Sequence, residues 1–369
     1  MQQKQILALW QKLKTQTHRL LGDHTTVRYF FLALGGIVAV GVLLLVLVNQ
    51  PLPESHTGYS YQPPPEKRHY SPLTGLEVKD EAATKQAATA IMIENSPDAR
   101  PQSGLKESGV VFEAIAEGGI TRFQVIYQQE KPQLIGPVRS LRPYYLAWAA
   151  PFDASIAHVG GSFLSLQEVR GGGYRDIDQF FNDGAYWRAA DREAPHNVYT
   201  SFRHLDALNR AKKYTTSKVQ GFLRQEIPKT GATPAPTQGK KATAIQVNIS
   251  SPTYNSSYTY DARAKNYPRS QGGQPHLDRE KGRIAPKVVV VMKVKMSLGF
   301  EDGWREQIQF IGSGEAYIFQ EGKVVEGTWR KNHKRQQIQF LTKAGQPIPL
   351  VRGQTWVTAL PSDRSVTWQ

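Results

Sequence analysis

The sequence predicts an α+β protein held at a membrane: an N-terminal transmembrane helix, then an α/β mixed-sheet domain, then a mostly-β domain. Three observations lead there. Residues 30–49, FFLALGGIVAVGVLLLVLVN, are one uncharged and almost wholly apolar run. Two Pro-rich stretches, 50–70 and 228–243, divide the remainder of the chain. Before the second stretch, strand-like and helix-like runs alternate. After it, nearly every apolar run is short and rich in β-branched or aromatic residues.

At ~1.5 Å rise per residue the 30–49 run spans a ~30 Å hydrocarbon core. A water-soluble core helix of this length would carry a polar break. A cleaved signal peptide would end in small residues, whereas the exit here is Asn49-Gln50-Pro51-Leu52-Pro53, so an uncleaved anchor is expected. Residues 1–29 form a basic tail, with Lys4, Lys12, Lys14, Arg19 and Arg28 against Asp23. The positive-inside bias puts that tail in the cytoplasm and residues beyond 50 outside, a single-pass topology in the cell membrane. Ile6, Leu9, Trp10, Leu13, Leu20 and Leu21 recur at helical spacing, which fits a helix on the inner leaflet and equally a plain basic tail. Pro63-Pro64-Pro65 favours an extended stalk over residues 50–70.

In the first domain, 71–227, Ala90 to Glu94 reads as a strand. Val110 to Ala116 and Thr121 to Tyr127 flank Gly118-Gly119 as a hairpin. Arg142 to Ala150 suits a helix with Pro143 in its first turn, Ser155 to Val159 a strand ending at Gly160-Gly161, and Phe163 to Arg170 a helix. Ser201 to Lys213 is a further helix with Thr200 or Ser201 as N-cap. After the linker 228–243, the domain 244–369 carries strands at 287–296, 307–311, 316–320, 324–329, 337–341 and 355–360, spaced as in a β-sandwich or barrel. Trp304, Trp329 and Trp356 are expected in its core in preference to a sugar-stacking platform.

The chain of 369 residues has no Cys, which excludes disulfides, cysteine-type zinc sites, thiol nucleophiles and a lipid anchor on cysteine. No metal-ligand spacing such as H-E-x-x-H appears, and neither metal nor cofactor is expected. Ser103-x-x-Lys106 and Lys229-Thr230-Gly231 imitate penicillin-binding motifs. The first lies in a loop-like stretch and the second in the linker, with no S-x-N or Y-x-N between them, so the pair is rejected. The net charge is +15. Outside a cell such an excess meets anionic wall polymers or headgroups, or simply solvent. Topology argues against nucleic acid.

Polar groups in the first domain suggest a binding groove. Glu113 and Glu117, four apart on a strand, should share a face about 13 Å apart. That is too far for paired glycosidase carboxylates, and salt bridges to Arg122 or Arg139 are the plainer account. His158-Val159-Gly160-Gly161-Ser162 is a strand, turn and helix start whose N–H groups suit an anion, or simply a tight turn. Trp187 to Asn197 concentrates Arg188, Arg192, His196 and Asn197, as an anionic-glycan site or a solvated loop would. The candidate ligand-binding residues are therefore Glu113, Glu117, Arg122, Arg139, Arg142, His158, Gly160, Gly161, Ser162, Asp178, Arg188, Arg192, His196 and Asn197. Of these, Glu113, Glu117, Arg122, Arg139, Arg142, His158, Asp178, Arg188 and His196 are expected largely on one side of the sheet, around a groove.

Several ordered strings resemble the YerB-like bacterial lipoproteins, a family of unassigned function. They are Ser71-Pro72-Leu73-Thr74-Gly75-Leu76, Ile91 to Leu105, Glu113 to Phe123, Ile135 to Ser140, His158 to Ser162 and Ala194-Pro195-His196-Asn197. Tyr267-Pro268-Arg269, His276-Leu277-Asp278 and Gly327-Thr328-Trp329 continue the likeness into the second half. The resemblance implies a Gram-positive-type envelope protein and no established reaction. Family members are often anchored through a lipidated Cys, which a transmembrane helix replaces here. A non-catalytic binder of wall glycan or of a wall-synthesis partner is the leading expectation, with anionic wall polymer, peptidoglycan or an envelope protein as the partners implied. An envelope hydrolase or transferase using Glu113 or Glu117 with His158, His196 and the arginines is the alternative.

Overall fold

The structure, a computed structural model, describes residues 7, 8, 10–12, 24–49, 67–227, 237–303 and 305–369. It divides into two units, Met1–Glu66 and Lys67–Gln369. In the first, a helix runs from His24 to Val48, and its Arg28–Val48 stretch is long and apolar enough to cross a membrane. It begins before the apolar run because helix propagation, once nucleated, does not need apolar residues. Its side chains are exposed from residue 28 onward. Most of the expected stalk, 50–66, lies outside the described residues, as do Trp304 and 228–236 of the linker.

The second unit is built on one large mixed sheet. Its main path uses ten strands, named in chain order. They are β1 (Thr89–Glu94), β2 (Val110–Glu117), β3 (Ile120–Tyr127), β4 (Ser155–His158), β5 (Arg175–Asp178), β6 (Lys240–Lys241), β7 (Val288–Val294), β8 (Gly312–Gln320), β9 (Lys323–Lys331) and β10 (Thr355–Pro361). Across the sheet they run β6-β9-β8-β7-β10-β2-β3-β1-β4-β5. The two halves of the sequence thus share a sheet. The seam is the parallel pair β10/β2, with Thr355 opposite Val110 and Thr358 opposite Glu113. Lys240 and Lys241, near the end of the expected linker, close one edge against β9.

This corrects the expectation of a self-contained sandwich or barrel after residue 244. Strands β2, β7 and β10 are buried nearly throughout, on both faces. A strand apolar on both faces needs neighbours on both edges and cover above and below. Sharing one sheet meets that need for all three. A sandwich does form, but one of its sheets extends into the first segment. The other is a five-stranded antiparallel sheet, in the order Gln274–Pro275, Arg269–Gln271, Ser256–Thr259, Ala244–Asn248, Ser365–Trp368.

Two cores arise from strand alternation. On one face Ala90, Met92, Phe112 and Val290 meet Tyr145 and Trp148 of the helix Pro143–Ala149, with Phe222 and Phe340. On the other, Ile91, Val111, Phe123 and Val289 meet Phe202 and Leu205 of the helix Phe202–Ala211, and Ile245, Val247 and Tyr258 of the smaller sheet. Trp329 and Trp356 are buried, each in one of these cores. Ser201 caps its helix by accepting from the His204 N–H. The β2–β3 turn needs Gly118 and Gly119, both at positive φ.

A fully buried ion pair joins the halves beneath the seam. Arg269 donates from Nη2 to both Glu113 oxygens at 2.9 Å, and neither side chain is exposed. Trp356 Nε1 donates to Glu113 Oε2 at 2.9 Å, and the Arg269 guanidinium lies 4.5 Å from the Trp356 ring centroid. Removing one partner of such a pair strands a buried charge. Arg269→Met is therefore expected to cost roughly 3–5 kcal/mol in urea unfolding of the soluble 67–369 unit. Glu113→Leu combined with Arg269→Met should recover part of it. A loss below about 1 kcal/mol for the single variant would show the pair to be dispensable.

Candidate binding cleft

Strands β1, β4 and β5 are mutually parallel neighbours, and Glu94, His158 and Asp178 are their last residues. Ligand sites in open α/β sheets lie beyond such carboxyl ends. The segment Gly136 to Leu141 crosses those ends. Glu94 N donates to Pro137 O, Arg139 N to Met92 O, and Val159 N to Arg139 O.

The sequence-derived residues are divided among separate groups. Glu113 lies on the face of the smaller sheet, paired with Arg269. Glu117 meets Arg122 at 2.6 Å and also Arg142, beside the helix Pro143–Ala149. The two carboxylates thus do not share a face. A register shift between Ile115 and Glu117 breaks the alternation, as β-bulges do, and Tyr144 donates to the Ile115 carbonyl beside it. Burial raises the Glu117 pKa, but the charges of Arg122 and Arg142 outweigh it and hold the carboxyl at about 2.

His158 and Asp178 form a third group. His158 Nδ1 lies 2.7 Å from Gly160 O, and Nε2 lies 3.0 Å from Asp176 Oδ1. Asp178 is fully buried and accepts from Gly160 N, Phe180 N and Arg170 Nη2. The Gly160-Gly161-Ser162 turn is thus occupied by the protein's own carboxylate. Ser162 donates to Glu301 and its N–H to Leu141 O. The expected single groove does not form around these residues, because their charges close on one another.

Of the remaining residues, Arg192 and His196 border an open cleft. It has a volume of 770 Å³ and is lined by Asp98, Arg100, Pro101, Asp191, Arg192, Glu193, Ala194, His196 and Arg279. His196 Nδ1 lies 2.9 Å from Glu94 Oε1 and 3.3 Å from Ser96 Oγ. Ser96 donates to the same Glu94 oxygen, Arg139 Nε lies 3.2 Å from it, and Glu94 Oε2 is buried without a hydrogen-bond partner. A carboxylate at Nδ1 orients the His196 ring. Nε2 lies 3.9 Å from Asp98, which is exposed. Ser96 and Glu94 approach the same ring nitrogen, so no nucleophile–base–acid relay is present.

Arg192 donates to the Asp98 and Pro101 carbonyls, and Arg279 pairs with Asp191. Arg188 donates to Asn197 Oδ1, whose Nδ2 holds the Arg192 carbonyl, so this pair shapes the loop. No group of His, Asp or Glu suited to a metal occurs among the described residues.

Behind the cleft wall a hydrogen-bonded chain leads to the buried ion pair. Arg100 donates to Asn95, and Gln102 donates to Asn95 Oδ1 and to Glu94 O. Gln102 Oε1 faces His276 Nε2 at 3.1 Å, and His276 Nδ1 receives Arg269. Burial and the Arg269 charge push the His276 pKa well below its ordinary value, so the ring is neutral. Residue types and spacing did not single out Asp98, Arg100, Arg269, His276 or Arg279. Asp98, Arg100, Arg269 and His276 sit inside strings that carry the family likeness, and that likeness is the one signal for them in the chain.

Family models match both halves. Residues 73–215 match the N-terminal domain, and 245–357 the C-terminal domain, of a protein family of unknown function, DUF3048. The chain is 32% identical to YerB of Bacillus subtilis (strain 168), named as a lipoprotein, over 80% of this chain and 87% of that one. The chain belongs to the YerB-like family. The crystal structure of Bacillus subtilis YerB superposes with a TM-score of 0.70 at 29% identity, covering 81% of this chain and 99% of the other. The family likeness, the two-domain α+β architecture and the N-terminal apolar helix thus agree with what the sequence implied. Residues 67–369 form one compact unit, and both cores are built from its residues alone.

The neutral His276 makes a pH prediction. Unfolded, His276 takes up a proton below its ordinary pKa of 6.5, and folded it does not. Unfolding therefore takes up a proton in acid, and stability falls as pH drops below that value, by up to ~1.4 kcal/mol per pH unit. His276→Gln, which can still accept from Arg269, should remove this share of the slope in urea melts between about pH 7 and 5. Parallel slopes for wild type and variant would contradict a neutral buried ring.

Proposed function

We propose that this YerB-like protein is a membrane-anchored envelope protein that stands outside the membrane and binds peptidoglycan without catalysis. The observation that carries this is the charge pattern of the cleft. Arg100, Arg192, Arg279 and His196 alternate there with Asp98, Asp191 and Glu193. A uniformly anionic polymer would meet those three carboxylates unfavourably. Wall peptides attached to glycan carry both carboxylates and ammonium groups, and a mixed-charge cleft complements both. The carboxylates Glu113 and Glu117 are closed in ion pairs, which favours a binder over a hydrolase or transferase built on them. The helix Arg28–Val48 supplies the anchor, and the basic residues before it support a cytoplasmic N-terminus.

Two measurements test this. The soluble 67–369 unit should sediment with peptidoglycan stripped of anionic polymer. Arg192→Gln and His196→Gln should each weaken binding about tenfold or more, as loss of a charge-assisted hydrogen bond does. Binding only to walls that retain anionic polymer, unchanged in both variants, would transfer the partner to that polymer. For topology, the natural absence of Cys permits a single reporter. Leu76→Cys, exposed in the structure, should react with a membrane-impermeant maleimide on intact wall-stripped cells. Labelling only after lysis would place the unit inside.

A further inference from the structure

A second cavity adjoins the cleft. It has a volume of 390 Å³ and is bordered by Arg100, Pro101, Gln271, Pro275, His276 and Leu277, of which Arg100 and Pro101 also line the cleft. Most of its wall comes from the hairpin that pairs Arg269–Gln271 with Gln274–Pro275, and from the residues just after it. Among the described residues no acidic side chain lines this cavity, whereas Asp98, Asp191 and Glu193 line the cleft.

Two groups set the chemistry of this cavity. The first is Gln271, which is 4% exposed and whose Nε2 is buried without a hydrogen-bond partner. Arg269 and Gln271, two apart on a strand, share a face, and Arg269 Nη1 donates to Gln271 Oε1 at 3.1 Å. A guanidinium only donates, so this bond fixes which end of the amide is the oxygen and leaves the NH2 group to find another acceptor. A buried donor without one is costly, and an acceptor on a ligand removes that cost. The second group is Arg100. Its Nε donates to Asn95 Oδ1, its Nη1 to Thr253 O and its Nη2 to Asn95 O. All three are neutral oxygens, so none of them cancels its charge, and a guanidinium carries more N–H groups than these bonds use. Arg269 differs, because Glu113 neutralises it. His276 has both ring nitrogens engaged, Nδ1 by Arg269 and Nε2 by Gln102.

We propose that this cavity is a carboxylate pocket, and that it takes the free carboxylate end of a wall peptide whose ammonium groups lie against the acidic residues of the adjoining cleft. Arg100 supplies the opposite charge and Gln271 Nε2 a directed N–H, the pairing that distinguishes a carboxylate from a neutral carbonyl. Pro101, Pro275 and Leu277 give the pocket apolar walls, which suit a small aliphatic side chain next to the carboxylate. The source of the peptide rests on the peptidoglycan reading above. The pocket's preference for a carboxylate does not, because it follows from Arg100 and Gln271 alone.

The test is calorimetric titration of the soluble 67–369 unit with N-acetyl-D-alanyl-D-alanine and with its C-terminal amide. The acid should bind with a dissociation constant of about 1 mM or tighter. The amide should bind at least about tenfold more weakly, as loss of a charge-assisted hydrogen bond requires. Gln271→Glu keeps an oxygen for Arg269 while removing the N–H donor and setting a like charge against the ligand. Leu277→Trp, at a position 43% exposed, fills the cavity and removes no hydrogen bond. Each variant should weaken binding of the acid at least about tenfold, Leu277→Trp at unchanged melting temperature. If Gln271→Glu does not fold, Leu277→Trp decides the outcome. No binding of the acid at about 10 mM, equal binding of acid and amide, or wild-type affinity in Leu277→Trp would overturn the proposal. If the acid binds, both variants lose it and wild type fails to sediment with peptidoglycan, the carboxylate pocket stands and the proposed wall ligand falls. If peptidoglycan binding depends on Arg192 and His196 while Leu277→Trp changes neither measurement, the cleft stands and the pocket falls.

Discussion

The buried pair Glu113–Arg269 is the constraint around which the compact unit is organised. Glu113 belongs to a central strand of the first segment, and Arg269 to the small sheet of the second. Neither reaches water. Each charge therefore requires the other, and each obliges the two halves of the sequence to close face to face. Trp356, from the strand across the seam, donates to the same carboxylate and lies against the guanidinium. Three segments far apart in sequence thus meet at one carboxyl group. The remaining valences of Arg269 go to Tyr258, Gln271 and His276, so nearly every donor has a partner.

That pair also reaches the cleft. His276, Gln102, Asn95 and Arg100 form a continuous hydrogen-bonded chain from the ion pair to the cleft wall. Gln102 bonds the Glu94 carbonyl, and Glu94 in turn holds His196. The loops that line the cleft are therefore positioned by the core and not by loop chemistry alone. A rigid wall with polar groups facing an open volume suits recognition. Carboxylates saturated by guanidiniums, as at Glu117, suit structure.

Much of the fold was legible locally. The hairpin around Gly118-Gly119, the helix with Pro143 in its first turn, the Ser201 cap and the long apolar strand at 287–296 all arise from short-range patterns. Each depends on backbone preference or alternation within a few residues. The face of Glu117 was not legible in this way. A single register shift beside Ile115 reversed it, and nothing in the residue types of β2 announces that shift. At Gly160-Gly161, where the residues fitted either an anion site or a plain tight turn, the N–H of Gly160 is taken by Asp178, a residue from the neighbouring strand.

The sequence by itself determined the family, the apolar N-terminal helix, the α+β class and most elements, because these rest on composition, periodicity and ordered motifs that a linear chain displays. Only the tertiary structure decided that both halves build one sheet, that Glu113 belongs to Arg269, and that His196 faces a cleft while His158 does not. The physical reason is that pairing between charges is set by distance in space. The chain offers many arginines to each carboxylate, and the choice among them is made by sheet order and strand register, which neighbouring residues do not encode.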